Sequence, residues 1–291
     1  MSRCLLIFLL CACSETLVAQ DDVEVRDLVI LAGQSNAVGF DAQPSELEQD
    51  PTDAKVLFWW KCGDPPPDEH DSNSSNAWTR LQPQPLGDPI KPRRDRQYGN
   101  YAQVDGGFGP EIGFARAWLS DPQSKPERGL AIIKTAFSGT GIGRDWDPDS
   151  DTESGACFRA MMKEINKATA AAKHQNLVLR PRAFLWVQGE SDANATDAPL
   201  YQQRLGRMLT VLREQLDAPE LQVRIAVNTK FGNGNNAFLP AIVTAQQDYA
   251  ASDPNTAYVD TSAAPIANAA HYDTQGTLLV GRLFAESLIT H

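Results

Sequence analysis

The sequence predicts an α/β fold, a three-layer α/β/α sandwich around a central, mostly parallel five-stranded sheet. Two observations carry this. Five short runs rich in Val, Ile and Leu recur at 28–32, 130–136, 183–188, 223–228 and 257–261. They are largely apolar rather than alternating, the pattern of parallel strands covered on both faces. Helical segments separate most of them, and strands alternating with helices build right-handed βαβ units.

Each element has its own signal. "LVILA" (28–32) reads as the first strand, and the chain turns polar at Gln34, Ser35 and Asn36. The helix at 110–119, "PEIGFARAWL", places Pro110 where a missing N–H is harmless. "LAIIKTA" comes next as the second strand, then an amphipathic, Ala-rich helix over 156–174. "AFLWVQ" is the third strand. The next helix, 197–217, opens on Asp197 as cap and Pro199 in its first turn. It repeats Leu200, Leu205, Leu209, Leu212 and Leu216 on one face. "VRIAVN", a helix over 237–251, "AYVDT" and a helix over 273–289 complete the series.

One region breaks the rhythm. Residues 41–108 are rich in Pro, Asp, Asn and Gln. Loops of that length inside a domain are usually lids or binding loops, and Trp59, Trp60, Trp78 and Tyr98 favour an ordered excursion. "KPRRDR" (91–96) reads as a solvated loop. The expected organisation is a signal segment over 1–20, then a single domain over 21–291 carrying this excursion.

The 291 residues are 42% hydrophobic and 22% charged, ordinary for a soluble globular protein. A net charge of −11 and a pI near 4.8 argue against nucleic-acid and anionic-membrane partners, which need a basic face. At the N-terminus, Arg3 precedes "CLLIFLLCAC", an apolar run too short to span a bilayer. Two readings are open there: cleavage after Ala19, or lipid attachment at Cys13. Either implies export to the periplasm or the exterior. In the body, Cys62 and Cys157 either pair or stay as buried thiols. No Cys/His spacing points to zinc, and neither metal nor cofactor is expected.

Ligands of open α/β sheets sit outside the carboxyl ends of the strands, so the residues just past each strand matter most. After the first comes Ser35, after the second Gly139 in "FSGTGIG", after the third Gln188, Glu190 and Asp192 in "QGESD". Asn228 stands after the fourth; Asp260 and then His271 stand after the fifth. A serine after a strand caps a helix more often than it attacks a carbonyl, and a lone histidine is usually structural. Their joint placement is the inventory for acyl transfer. The nucleophile elbow G-x-S-x-G is incomplete, since Ala37 comes after Gly33-Gln34-Ser35-Asn36.

"GQSNAVG", "FSGTGI", "WVQGESDA" and "NAAHYDTQGTLLVGRLFAESL" together resemble the blocks of the SGNH hydrolases. The resemblance is to the sialate O-acetylesterase-like group that includes carbohydrate esterase family 6 acetylxylan esterases. It implies a flavodoxin-like fold, Ser35 as nucleophile and His271 as general base. It also implies an oxyanion hole from the amides of Ser35 and Gly139 and the Gln188 side chain. The sequence departs from the family where Asp usually stands three residues before the histidine, because Asn268 is there. Asn accepts from the imidazole but gives it no charge, and Asp→Asn in the serine-protease triad costs about 10⁴ in rate. Glu190 is the substitute the resemblance favours, with Asp260, Asp273 or Asn268 itself as alternatives. Asp273 also reads as a helix cap, and Asp260 as a residue that holds a loop.

The expectation is therefore an exported serine esterase acting on acetylated carbohydrate, xylan-type polysaccharide first. The rivals are a sialate O-acetylesterase, for which Arg144 is the candidate carboxylate partner, and a non-catalytic carbohydrate-binding homologue. Trp146, Arg144 and Asn228 are candidate substrate contacts. Trp59 and Trp60 either stack on sugar or pack the excursion onto the body.

Overall fold

The computed structural model describes residues 23–88, 101–124 and 128–290. The signal segment with Arg3, Cys13 and Ala19, the "KPRRDR" patch and Tyr98 lie outside the described residues.

The first elements are β1 (Glu24–Gly33), the single turn α1 (Ser35–Val38), β2 (Leu57–Gly63) and the short β3 (Ser72–Asn73) and β4 (Thr79–Arg80). Then come α2 (Glu111–Ser120), β5 (Leu130–Phe137), the turn α3 (Ile142–Asp145), α4 (Ala156–His174) and β6 (Leu177–Val187). The rest are α5 (Tyr201–Gln215), β7 (Gln222–Ala226), α6 (Leu239–Ser252), β8 (Thr256–Tyr258) and α7 (Thr274–Ile289). The sheet order is β3-β2-β5-β1-β6-β7-β8, with β4 also on β2. β2, β5, β1, β6, β7 and β8 pair in parallel, and only β3 and β4 are antiparallel.

The α/β/α class is as expected, but the parallel sheet has a sixth strand. β2 lies inside the stretch read as an excursion. Its neighbours in sequence are rich in Pro, Asp and Asn, which hides a strand whose own residues are largely buried. Trp59 and Trp60 are core residues on opposite sides of the sheet, since successive strand side chains point to opposite faces. The Trp59 indole donates to Glu164 on α4 (3.0 Å) and the Trp60 indole to Ser72 (3.1 Å). They pack the sheet edge and present no sugar platform.

Alternation along β1 explains why the sequence looks uniformly apolar. Leu28, Ile30 and Ala32 enter one core with α4, α5 and α6. Val29 and Leu31 enter the other with α1, α2 and α7. Burying such a side chain is worth about 1.5–3 kcal/mol each. Cys62 and Cys157 are both buried and are not joined in a disulfide, so the expected alternative of a pair does not hold, and burial pushes the Cys62 thiol up to about 11. Among the described residues, no helix is long and apolar enough to cross a membrane.

One buried cation fixes the site's platform. Lys134 on β5 has no exposed side-chain surface and uses all three donors: Val38 O (2.8 Å), Gln84 Oε1 (2.6 Å) and Glu111 Oε1 (3.0 Å). Val38 closes α1, so the sheet, α2 and Gln84 are tied to the turn that begins at Ser35.

Candidate active site

β1 ends at Gly33, whose φ of 140° and tight approach to β6 admit no side chain; a Cβ there would lie 2.1 Å from Val187 O. The chain leaves the sheet at Gln34, the N-cap residue of α1, which makes no side-chain cap. Its Oε1 instead accepts from Gly189 N (3.4 Å) and Ser191 N (3.2 Å), joining the first strand end to the third. Ser35 is thus the first residue of the turn, not its cap, and 6% of its surface is exposed.

His271 is brought to the same place by Asn36. The Asn36 Nδ2 donates to Ala270 O (3.1 Å), and its Oδ1 accepts from Tyr272 N (3.1 Å). The residues on both sides of the histidine are therefore tied to the neighbour of Ser35. Phe40, whose N–H donates to Ser35 O (3.1 Å), lies against the imidazole with ring centroids 4.6 Å apart.

The partner of the His271 ring is Asp41. Nδ1 lies 2.7 Å from Asp41 Oδ2, and Asn268 Nδ2 donates to the same oxygen (2.8 Å). Asn268 Oδ1 accepts from the backbone of Ala270 (2.9 Å) and His271 (3.1 Å), so it shapes the loop and does not touch the ring. Burial works to raise the Asp41 carboxyl, but hydrogen bonds from His271 and Asn268 and attraction to His271 together hold it below its usual value. Sequence reasoning missed Asp41. It stands six residues after Ser35, just past α1, at the first position of the excursion.

Glu190 is elsewhere. It is buried, and its Oε1 accepts from Asn36 Nδ2 (2.8 Å) and Asn228 N (3.1 Å). Oε2 has no hydrogen-bond partner among the described residues. Burial raises its pKa despite those bonds. Glu190 thus holds Asn36, which holds the histidine loop; it does not hydrogen-bond the ring. Asp260 is exposed and accepts from Ser262 N (2.8 Å), while Asp273 caps α7 by accepting from Gly276 N (2.7 Å).

Three other expectations are corrected by burial. Gln188 is fully buried and its Nε2 is committed to Thr140 O (2.9 Å) and Asp192 Oδ2 (2.5 Å), so no donor is left for an oxyanion. Trp146 is also fully buried, edge-on to Trp186 at 5.0 Å, with its indole on Thr140 Oγ1 (2.9 Å). Asn228 points into the protein and donates to Ala270 O (3.1 Å). Gly139 is exposed and left-handed at φ 68°. Arg144 keeps 65% of its side chain in solvent while pairing with Asp145 (3.0 Å) and donating to Gly139 O. Among the described residues no group of His, Cys, Asp and Glu is arranged to hold a metal ion.

A serine at the end of a parallel strand, with a carboxylate-bound histidine in a loop tied to the next residue, is an arrangement of SGNH-hydrolase type. The chain belongs to the family described as carbohydrate esterase, sialic acid-specific acetylesterase, whose sequence model matches residues 25–290. By that membership it is a carboxylic ester hydrolase, a carbohydrate acetylesterase. Among solved structures it is similar to an Arabidopsis thaliana protein, at 19% identity and a TM-score of 0.63 over 91% of this chain and 98% of that one. It is similar to NanS at 14% identity and a TM-score of 0.60, over 92% and 97% of the two chains. It also resembles a carbohydrate acetylesterase from Xanthomonas citri, at 15% identity and a TM-score of 0.52 over 89% of this chain and 54% of that one. At these identities the likeness speaks for the fold. No curated protein shows significant sequence similarity to the chain.

Proposed function

We propose that the chain is an exported serine esterase that removes O-acetyl groups from carbohydrate through Ser35, His271 and Asp41. The observation that carries this reading is the 2.7 Å contact between His271 Nδ1 and Asp41, in a loop tied to the residue after Ser35. Ser35 Oγ attacks the acetyl carbonyl carbon while His271 Nε2 takes its proton. Asp41 keeps the ring in the tautomer that leaves Nε2 free and stabilises the imidazolium that forms. The backbone amides of Ser35 and Gly139 face the developing oxyanion. Collapse expels the sugar hydroxyl, which regains the proton from His271. Water then attacks the acetyl-enzyme by the same route and releases acetate.

Ser35→Ala is the decisive variant. Hydrolysis of a small acetyl ester should fall to background while folding is unchanged; an equal rate refutes the reading. Acetylated xylan-type polysaccharide is the substrate class taken from the sequence resemblance. Exposed Arg144 beside Gly139 favours a second reading, an O-acetylated sugar that bears a carboxylate, and the sialic acid in the family's description agrees with it. Rates on acetylated xylan and on O-acetyl sialosides, each with Arg144→Ala, decide between them. Mass spectrometry of the mature N-terminus distinguishes cleavage after Ala19 from a lipid on Cys13, and an uncleaved chain refutes export.

A further inference from the structure

The loop that carries Gly139 is intrinsically soft. "SGTGIG" places three glycines in six residues, and glycine gives the backbone the widest conformational freedom. Some of its tethers are local: Thr140 Oγ1 donates to Phe137 O (2.8 Å), and Gly141 N donates to Asp145 Oδ2 (2.8 Å). Two buried side chains just past the third strand hold it, Asp192 and Gln188. Asp192 Oδ2 accepts from Ile142 N (2.9 Å) and Gln188 Nε2 (2.5 Å), and Oδ1 lies 3.1 Å from Ile142 N. Gln188 Nε2 closes the ring on Thr140 O (2.9 Å), and its Oε1 accepts from Tyr201 OH (3.0 Å).

Resting on the serine-esterase reading above, we propose that Asp192 is a positioning residue that braces the 139–142 loop so that the Gly139 amide faces the oxyanion. Both of its partners are N–H donors, so the position needs a group that only accepts. Asp192 is 1% exposed and Gln188 fully buried, so bulk water has no access to replace a lost bond. An amide at 192 would turn one of its own N–H groups towards a donor. The loop would loosen, and the Gly139 amide would lose its aim without leaving the fold. Binding of the ground-state ester, whose carbonyl oxygen is not yet charged, depends little on that aim.

The test compares Asp192→Asn and Ser35→Ala with wild type on a small acetyl ester, and tracks phosphonylation of Ser35 by an alkyl phosphonate. Asp192→Asn should lower kcat by about 10²-fold, the effect of one oxyanion donor, with KM within about threefold. Phosphonylation should slow by a similar factor. Ile142→Pro removes the same hydrogen bond from its other end. Proline suits the first position of a helix, and Gly141 at φ −104° and ψ 144° suits a residue before proline. It should lose kcat in the same way, and the double variant should be no slower than the worse single. Should Asp192→Asn fail to fold, Ile142→Pro decides alone by the same readout. A wild-type kcat, or a loss confined to KM, overturns the brace. If Ser35→Ala is inactive at the same time, the esterase reading survives that failure; an active Ser35→Ala overturns the reading itself.

Discussion

Replacing Asp41 by Asn isolates the charge at His271 from its geometry. The amide keeps the size of the carboxylate and one acceptor oxygen for Nδ1, so the ring stays in place. What is lost is attraction to the imidazolium formed as Ser35 attacks. Nδ1 and Oδ2 are 2.7 Å apart; with the charges spread over both groups the effective separation is about 4 Å. At an effective dielectric constant of about 20 this attraction is about 4 kcal/mol, or about 10³ in rate. The side chains are 17% and 15% exposed, and solvent screening trims that figure. We expect kcat to fall about 10²–10³-fold with KM little changed, measured on a small acetyl ester near pH 8. Adding Asn268→Asp should then restore at least about tenfold, because residue 268 faces the same carboxylate oxygen at 2.8 Å. Asn268→Asp alone should slow the enzyme by setting two carboxylates against each other. An Asp41→Asn enzyme within about fivefold of wild type refutes the triad, and leaves Asp41 as a loop anchor.

Glu190→Gln should lose about tenfold or less, since its amide oxygen still accepts from Asn36 and Asn228; a loss of about 10³ would return the acid's role to Glu190. Lys134→Met strands Glu111 in the core, and breaking a buried pair costs about 3–5 kcal/mol; calorimetry should show a melting point lower by about 10 °C, and an unchanged one refutes the platform role. Asp192 makes a pH-dependent prediction. Burial lifts its carboxyl to about 6, opposed by bonds from Gln188 and Ile142; Asp197 raises it further, Arg204 lowers it, and Tyr201 also faces it. A folded value above the unfolded one stabilises at low pH, and that contribution fades as pH rises through about 6. In denaturant melts, Asp192→Asn should therefore gain stability on wild type between pH 4 and pH 7, by up to about 3 kcal/mol. A gap that does not change with pH refutes it.

The fold is legible where burial is two-sided. β1, β5, β6 and β7 feed two cores, so their buried stretches are mostly apolar on both faces and stand out against their surroundings. β2 is largely buried too, yet it reads as loop when composition is averaged over 41–108. Its partners, β3 and β4, have two residues each and leave no periodic trace. Tryptophans in a polar stretch are the available signal. Their indole N–H groups find Glu164 and Ser72 in the core, and no sequence pattern specifies those partners.

The site divides along a different line. Ser35 and Gly139 stand just past strand ends, where local motifs mark them as candidates, and His271 lies in a loop held by the Asn36 side chain. The proposed acid is set only by its distance to Nδ1, and any segment passing that point could supply a carboxylate there. Here the segment after α1 does, because Phe40 N donates to Ser35 O and turns the chain past the imidazole, leaving Asp41 at Nδ1. Asn268 then reads differently. Its carbonyl caps the histidine loop and its amide donates to Asp41, two tasks that an Asp at 268 could not combine with a second carboxylate at 41. The pair therefore constrains itself: a carboxylate at one position calls for an amide at the other. The exchange of the two, Asp41→Asn together with Asn268→Asp, should recover activity that Asp41→Asn alone loses. If both variants are equally slow, the carboxylate's place in the chain, and not its distance to Nδ1, is what the histidine requires.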